Sequence, residues 1–152
     1  MPHIHDKLDF TVEVFIVHKN KVLLRKHDKY KIWLSIGGHI ELNEDPNQAA
    51  IREVKEEVGL NVKLAGYNML FSDNNEYYEL IPPKFLNRHR INEDHEHISL
   101  IYFAVSDTDK LMLSQEELSE ECRWFTLDEL DNYDIKESIK FYARKALEEL
   151  KL

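Results

Sequence analysis

Gly38-His39-Ile40-Glu41-Leu42-Asn43-Glu44-Asp45-Pro46-Asn47-Gln48-Ala49-Ala50-Ile51-Arg52-Glu53-Val54-Lys55-Glu56-Glu57-Val58-Gly59-Leu60 is the stretch on which the reading of this chain turns. Asp45-Pro46 is a helix start, with Asp45 as cap and Pro46 at the first helical position. Asn47–Val58 carries strong helix formers, with Ala50, Val54 and Val58 at helical spacing, and Gly59 is a natural terminator. On such a helix Glu53, Glu56 and Glu57 emerge on one face. Like charges at that spacing repel, and the arrangement becomes favourable when a divalent cation sits among them. Carboxylates are hard oxygen ligands, which suit magnesium or manganese rather than zinc. Arg52 is the helix's only arginine; pairing with Glu44 or a neighbouring glutamate would fix carboxylate orientation. Gly37-Gly38 would let the backbone bend sharply and approach a metal or phosphate closely.

Outward from this segment the chain reads as strands, one helix, strands and a final helix. Phe10–His18 is β-branched and aromatic and predicts a strand, Lys19-Asn20 a turn, and Lys21–Lys26 the second arm of a hairpin. Lys31–Ile36 reads as a short strand ending at the glycine pair, and Val62–Phe71 as another. Ser72–Glu96 is polar, contains Pro82-Pro83 and reads as a long irregular loop, a type often tied to function. His97–Val105 is a strongly apolar strand, Trp124–Thr126 a short one, Leu127–Leu130 a helical turn and Ile135–Leu150 a closing helix. This pattern predicts an α/β fold with a mixed sheet packed between helices.

The 152 residues fit one ordinary domain, residues 1–152, without repeat or linker. Hydrophobic residues at 43% beside 32% charged allow a real core, so no disulfide staple is required. Cys122 is the one cysteine, which rules out an internal disulfide and a cysteine zinc site. The first residues lack the apolar core of a signal peptide, and Leu100–Val105 is far too short to span a bilayer. A cytoplasmic protein, without membrane association, is expected. With 29 acidic against 20 basic residues and a net charge of −9, the chain is a poor general binder of nucleic acid. A phosphorylated small molecule remains compatible where a cation or a local basic cluster bridges the repulsion.

The segment resembles the Nudix box, Gly-x5-Glu-x7-Arg-Glu-U-x-Glu-Glu-x-Gly-U, with U a bulky aliphatic. Gly38, Glu44, Arg52, Glu53, Val54, Glu56, Glu57, Gly59 and Leu60 occupy all of its constrained positions. Ile36 stands where relatives often have proline before the glycine pair, and Asn43 where they often have glycine before the first glutamate. The resemblance implies a Nudix-type α/β/α sandwich, with the box as a loop–helix–loop. It also implies attack of water on a phosphorus of a nucleoside diphosphate derivative, with Mg2+, or Mn2+ as substitute. Glu56 and Glu57 then look like principal metal ligands, Glu53 a ligand or the general base, and the carbonyl of Gly37 or Gly38 a further ligand. Arg52 and Glu44 belong to the same catalytic constellation.

Outside the box, Nudix enzymes often draw a further carboxylate from a later loop; Glu120, just before the Trp124 strand, is the candidate. Arg25 and Arg88 are candidates for gripping phosphate. His95 and His97 point to one side if they lie in a strand, but with no third soft ligand evident a surface or substrate contact is expected rather than zinc. Tyr77, Tyr78 and Phe85 are expected to pack. The favoured substrate class is a nucleotide sugar or ADP-ribose. A nucleoside triphosphate pyrophosphohydrolase is the alternative, and a non-catalytic nucleotide-binding module the rival of another class, which intact Glu53, Glu56 and Glu57 disfavour. An isopentenyl diphosphate isomerase resembles the chain less. A monomer or a homodimer is expected.

Overall fold

The computed structural model describes residues 6–67, 72–73, 76–114 and 121–152. Its elements in chain order are β1 (Leu8–His18), β2 (Lys21–Lys26), β3 (Trp33–Leu34), β4 (Ile36–His39), α1 (Pro46–Val58), β5 (Val62–Leu64), β6 (Ser72–Asp73), β7 (Tyr77–Tyr78), β8 (Phe85–Asn92), β9 (His95–Ser106), β10 (Glu121–Phe125), α2 (Leu127–Asp131) and α3 (Glu137–Glu149). Eight strands form one mixed sheet in the order β10-β2-β1-β9-β5, with β3 on β2, β4 on β1 and β8 on β9. β1 and β9 run parallel from Leu8 beside Glu96 to Val17 beside Val105. The other pairings are antiparallel. β6 and β7 form a separate small ribbon.

Strand alternation divides the core into two layers. Val12, Val14 and Ile16 of β1, with Tyr102 and Ala104 of β9, face α1 through Ala49, Ala50, Val54 and Val58. Phe15 and Val17, with Ile101 and Phe103, face α3 through Ile139, Ala143, Ala146 and Leu147. The result is the expected α/β/α sandwich. Burying Val54 and Val58 stabilises by roughly 1.5–3 kcal/mol each, against a few tenths of a kcal/mol for each like-charged pair on the helix surface. Packing therefore seats α1 with room to spare for its crowded glutamates.

The helix ends follow local chemistry. Asp45 caps α1 by accepting from Gln48 N, and the Gln48 side chain returns a bond to the Asp45 N–H. Gly59 ends the helix at φ 72°, where its N–H reaches the Lys55 carbonyl. Lys19 and Asn20 take positive φ values of 44° and 64°, the two-residue turn that suits the twist of a β1–β2 hairpin.

Three expectations need correction. Phe85–Asn92, inside the stretch read as an irregular loop, is an edge strand on β9. Its residues are mostly exposed and short of β-branched side chains, so its pairing comes from β9 and not from its own pattern. Lys31–Ile36 is not one strand: Trp33–Leu34 pairs with β2 and Ile36–His39 with β1. Gly37 and Gly38 do not bend the chain; both lie within β4, opposite Glu13 and Val12. Of the strand expected over Val62–Phe71, Val62–Leu64 is observed, and residues 68–71 lie outside the described residues.

Close approach, not bending, is what Gly37 supplies. A Cβ placed there would lie 2.0 Å from the Val12 carbonyl oxygen, a backbone atom of the central strand. Gly37→Ala is expected to lower stability by about 2 kcal/mol or more, read as a lower urea midpoint at unchanged slope. An unshifted midpoint would show that β1 and β4 are not packed this tightly.

Candidate active site

Arg52 sits on the turn of α1 that faces the β4 end and the loop after it. Its Nε and Nη2 grip Glu44 as a fork, at 2.9 Å to Oε2 and 2.6 Å to Oε1. Nη2 also donates to the His39 carbonyl at 3.0 Å, and Nη1 to Glu53 Oε1 at 3.0 Å and Glu56 Oε2 at 3.1 Å. One guanidinium thus ties the loop, the end of β4 and two box carboxylates together. The Glu44 carboxyl also accepts from the Glu41 N–H at 2.9 Å. The Arg52 bond, chiefly, holds the Glu44 carboxyl below the usual carboxylate range.

Glu53 has the opposite character. It is 4% exposed, beneath the strand that carries the glycines. Burial pushes its carboxyl above the ordinary value; Arg52 pulls it back, while Glu56 and Glu44 add to the rise. A Cβ at Gly38 would lie 2.4–2.7 Å from the three carboxylate atoms of Glu53. Only glycine leaves that carboxylate pressed against the β4 backbone.

Glu57, on the same helix, pairs with β2 instead of with Arg52. Its Oε2 lies 3.3 Å from Arg25 Nε on β2, and Arg25 Nε also reaches the Ser35 carbonyl at 3.3 Å. Ser35 Oγ in turn donates to Glu13 Oε1 at 2.9 Å. Arg25, Glu13, Ser35, Gly37 and Gly38 belong to the wall of a cleft of about 500 Å³. His27, Tyr30, Arg90 and Lys136 also line it, so Arg25 of β2, Arg90 of β8 and Lys136 just before α3 meet at one cleft in an acidic protein.

Glu53, Glu56 and Glu57 offer only oxygen donors, from buried Glu53 to exposed Glu56, and among the described residues they do not gather as a preformed cluster. That chemistry fits a hard divalent cation. The buried Glu53, whose charge is disfavoured by desolvation, fits it further, because a nearby cation offsets that penalty.

The structure therefore brings together Gly37, Gly38, Glu44, Arg52, Glu53, Glu56, Glu57 and Arg25. Arg88 is not brought in. It projects from the face of β8 opposite to the cleft-lining His89 and forms a fork with Glu96, at 3.1 and 2.8 Å. Arg90, two residues on, is among the residues that line the cleft. Glu120 lies outside the described residues.

Sequence reasoning missed a polar row. Asp9, Thr11 and Glu13 on β1 and His95, His97 and Ser99 on β9 share one face of the sheet, with Thr11 Oγ1 2.6 Å from Ser99 Oγ. Polar residues at every second position of otherwise apolar strands were the available signal.

With fold and carboxylate geometry in place, the chain can be compared with known proteins. A NUDIX domain model matches residues 7–148, so the chain belongs to the Nudix family. A Nudix-family hydrolase from Clostridium perfringens is 38% identical, with TM-score 0.83 over 94% of this chain and 98% of that one. An Ap4A hydrolase from C. elegans shares the fold, with TM-score 0.66 over 90% of this chain and 93% of that one at 18% identity. An m7GpppN-mRNA hydrolase, NUDT17 of Xenopus laevis, is 32% identical over 90 residues, 55% of this chain; the chain spans 30% of that protein's length. No helix among the described residues is long and apolar enough to cross a membrane.

The Glu44–Arg52 fork predicts a pH signature in the metal-free protein. A carboxyl lowered on folding contributes stability that is present above its unfolded value, near 4.5, and is lost as pH falls through the lowered value. Glu44→Gln should therefore melt below the wild type at pH 7, and the gap should close as pH falls below the ordinary carboxylate value. A gap that stays constant down to pH 3 would show that the ionised pair is not its source.

Proposed function

We propose that the protein hydrolyses the diphosphate linkage of a nucleoside diphosphate derivative, of nucleotide-sugar or ADP-ribose type, with Mg2+ or in its place Mn2+. The observation that carries this reading is the glycine pair of β4. Gly38 lets the buried Glu53 carboxylate lie against the strand, and both glycines line a cleft whose wall also carries Arg25, Arg90 and Lys136.

Glu56 and Glu57, with the Gly37 or Gly38 carbonyl, would hold the cation, and Glu53 would either join them or act as base. A divalent cation bound there supplies Lewis acidity and neutralises diphosphate charge. Glu53, whose burial raises its affinity for a proton, is suited to accept one from an attacking water. Arg52 fixes the Glu53 and Glu56 oxygens by direct hydrogen bonds. Arg25 restrains Glu57 and faces the cleft, where it can also meet phosphate. Exposed Tyr30 at the cleft rim offers a surface for a base.

A second reading comes from the mRNA-cap hydrolase relative, whose named substrate also has a bridging polyphosphate. A panel of ADP-ribose, nucleotide sugars, nucleoside triphosphates and an m7GpppG dinucleotide with Mg2+, scored by product, separates the readings. Nucleoside monophosphate plus X-phosphate supports the proposal. Monophosphate plus pyrophosphate from triphosphates points to a triphosphate pyrophosphohydrolase, and turnover confined to m7GpppG to the cap reading. Turnover that survives exhaustive chelation would remove the metal mechanism altogether.

Glu57→Gln keeps size and polarity but deletes the charge a hard cation needs. It should cut turnover by about a hundredfold or more while melting no lower than wild type without metal. Magnesium should then raise the wild-type melting temperature more than the mutant's. Near-normal turnover would sink the ligand role of Glu57.

Cleft geometry gives a separate kinetic test. Arg90→Ala should raise KM several-fold with kcat nearly unchanged, as when uniform substrate binding is lost, whereas Arg88→Ala should leave KM alone. The reverse pattern would return the phosphate contact to Arg88.

A further inference from the structure

We propose that Asp9, His95 and His97 form a second metal site, separate from the box carboxylates and suited to zinc. Their ligand atoms all lie within 4.8 Å of one another. Asp9 stands beside His97 in the parallel register of β1 and β9, and His95 precedes His97 by two residues on the same face. The three side chains therefore issue from the two central strands, the most rigid support the fold offers.

The tautomer of His95 is fixed by its surroundings. Its Nδ1 lies 3.0 Å from the Asp6 carbonyl oxygen, which can only accept, so Nδ1 carries the hydrogen. In the neutral ring the lone pair is then on Nε2, 3.4 Å from Asp9 Oδ2. Two electron-rich atoms facing each other require a cation between them, either a proton or a metal. Tetrahedral zinc, with bonds near 2.0–2.1 Å, sets its ligands about 3.3 Å apart, which is close to the separation seen. A ligating histidine that anchors its other ring N–H on a backbone carbonyl is also the usual support of such sites.

Donor type separates this site from the box. Two imidazoles and one carboxylate favour zinc or a similar transition ion, whereas carboxylates with carbonyls favour magnesium or manganese. Burial separates its parts: Asp9 is 1% and His95 4% exposed, while His97 is half-buried and lines the cleft beside Gly37 and Gly38. A zinc ion held there has its open position toward the cleft. His39 adjoins the site, with Nε2 3.3 Å from Asp9 Oδ2 and its ring edge-on to His97 at 5.1 Å.

The test is a zinc titration of the metal-stripped protein by calorimetry, in excess Mg2+ to fill the box. One equivalent should bind with a Kd below about 1 μM, and Co2+ should give the visible absorption of a four- or five-coordinate nitrogen–oxygen site. Glu57→Gln should keep this binding. His97→Gln, at a partly exposed position, and the isosteric Asp9→Asn should each weaken it at least tenfold, with folding checked by circular dichroism. Wild-type binding weaker than about 10 μM overturns the proposal and leaves a proton as the cation between His95 and Asp9. Zinc binding that is lost in Glu57→Gln but kept in His97→Gln or Asp9→Asn overturns it equally. Should either cleft variant unfold, the wild-type titration and the Co2+ spectrum decide alone.

Discussion

The Arg52 guanidinium is the interaction on which the site depends. Without it, Glu44, Glu53 and Glu56 would gather at one end of α1 with nothing to fix their directions. Hydrogen bonds to charged groups contribute about 1.5–3 kcal/mol when well placed, several times the few tenths that each helical pair of glutamates costs. Arg52 makes such bonds to three carboxylates and adds the His39 carbonyl. That last contact matters for geometry, because it locks helix and strand at the height where Gly38 meets Glu53. The helix, the strand end and the loop between them then behave as one rigid unit.

The central strands explain why chemistry lies beside that unit. Along the β1–β9 face that carries the polar row, side chains are polar from Asp9 to Glu13 and from His95 to Ser99, then apolar from Phe15 and Ile101 onward. α3 covers the apolar half. The polar half faces the cleft. A single face of one sheet thus serves as core at one end and as binding surface at the other, and the change falls where β4 brings its glycines against β1. The opposite face stays apolar beneath α1, which gives the box helix a firm seat.

Much of this was legible in the chain. Asp45-Pro46 and Gly59 mark the ends of α1 because capping is local chemistry, and the glutamate spacing needs only helical geometry. The two layers follow from alternation in Phe10–His18 and His97–Val105. What was not legible depended on partners distant in sequence. Phe85–Asn92 becomes a strand because β9 offers an edge, so its own residues carry little signal. Arg88 and Arg90 are equivalent as sequence and share a face of β8, yet Arg88 is taken up by Glu96 while Arg90 lies at the cleft wall. Asp9 is unremarkable at the start of a strand until the parallel register sets it beside His97, eighty-eight residues away. That pairing supplies the third ligand that the histidines lack in sequence.

Charge presents the remaining problem, since under the proposed function a chain of net −9 would have to admit a polyanion. The average is misleading, because charges more than about 10 Å apart are largely screened at ordinary salt. Near the cleft the balance is local: Arg25, Arg90 and Lys136 line it, and Arg52 stands behind its wall amid Glu44, Glu53 and Glu56. The box glutamates are thus drawn toward arginines, Glu56 and Glu53 to Arg52 and Glu57 to Arg25, so their charge is partly balanced in the protein itself. Under the proposed function, a cation taken up by these carboxylates would have to compete with two guanidinium groups for them. Arg52 is held from behind by the Glu44 fork and His39, so it can yield one carboxylate oxygen without moving. Arg25 reaches both Glu57 and the Ser35 carbonyl through Nε, so it ties the box helix to β2 and to the residue that precedes β4.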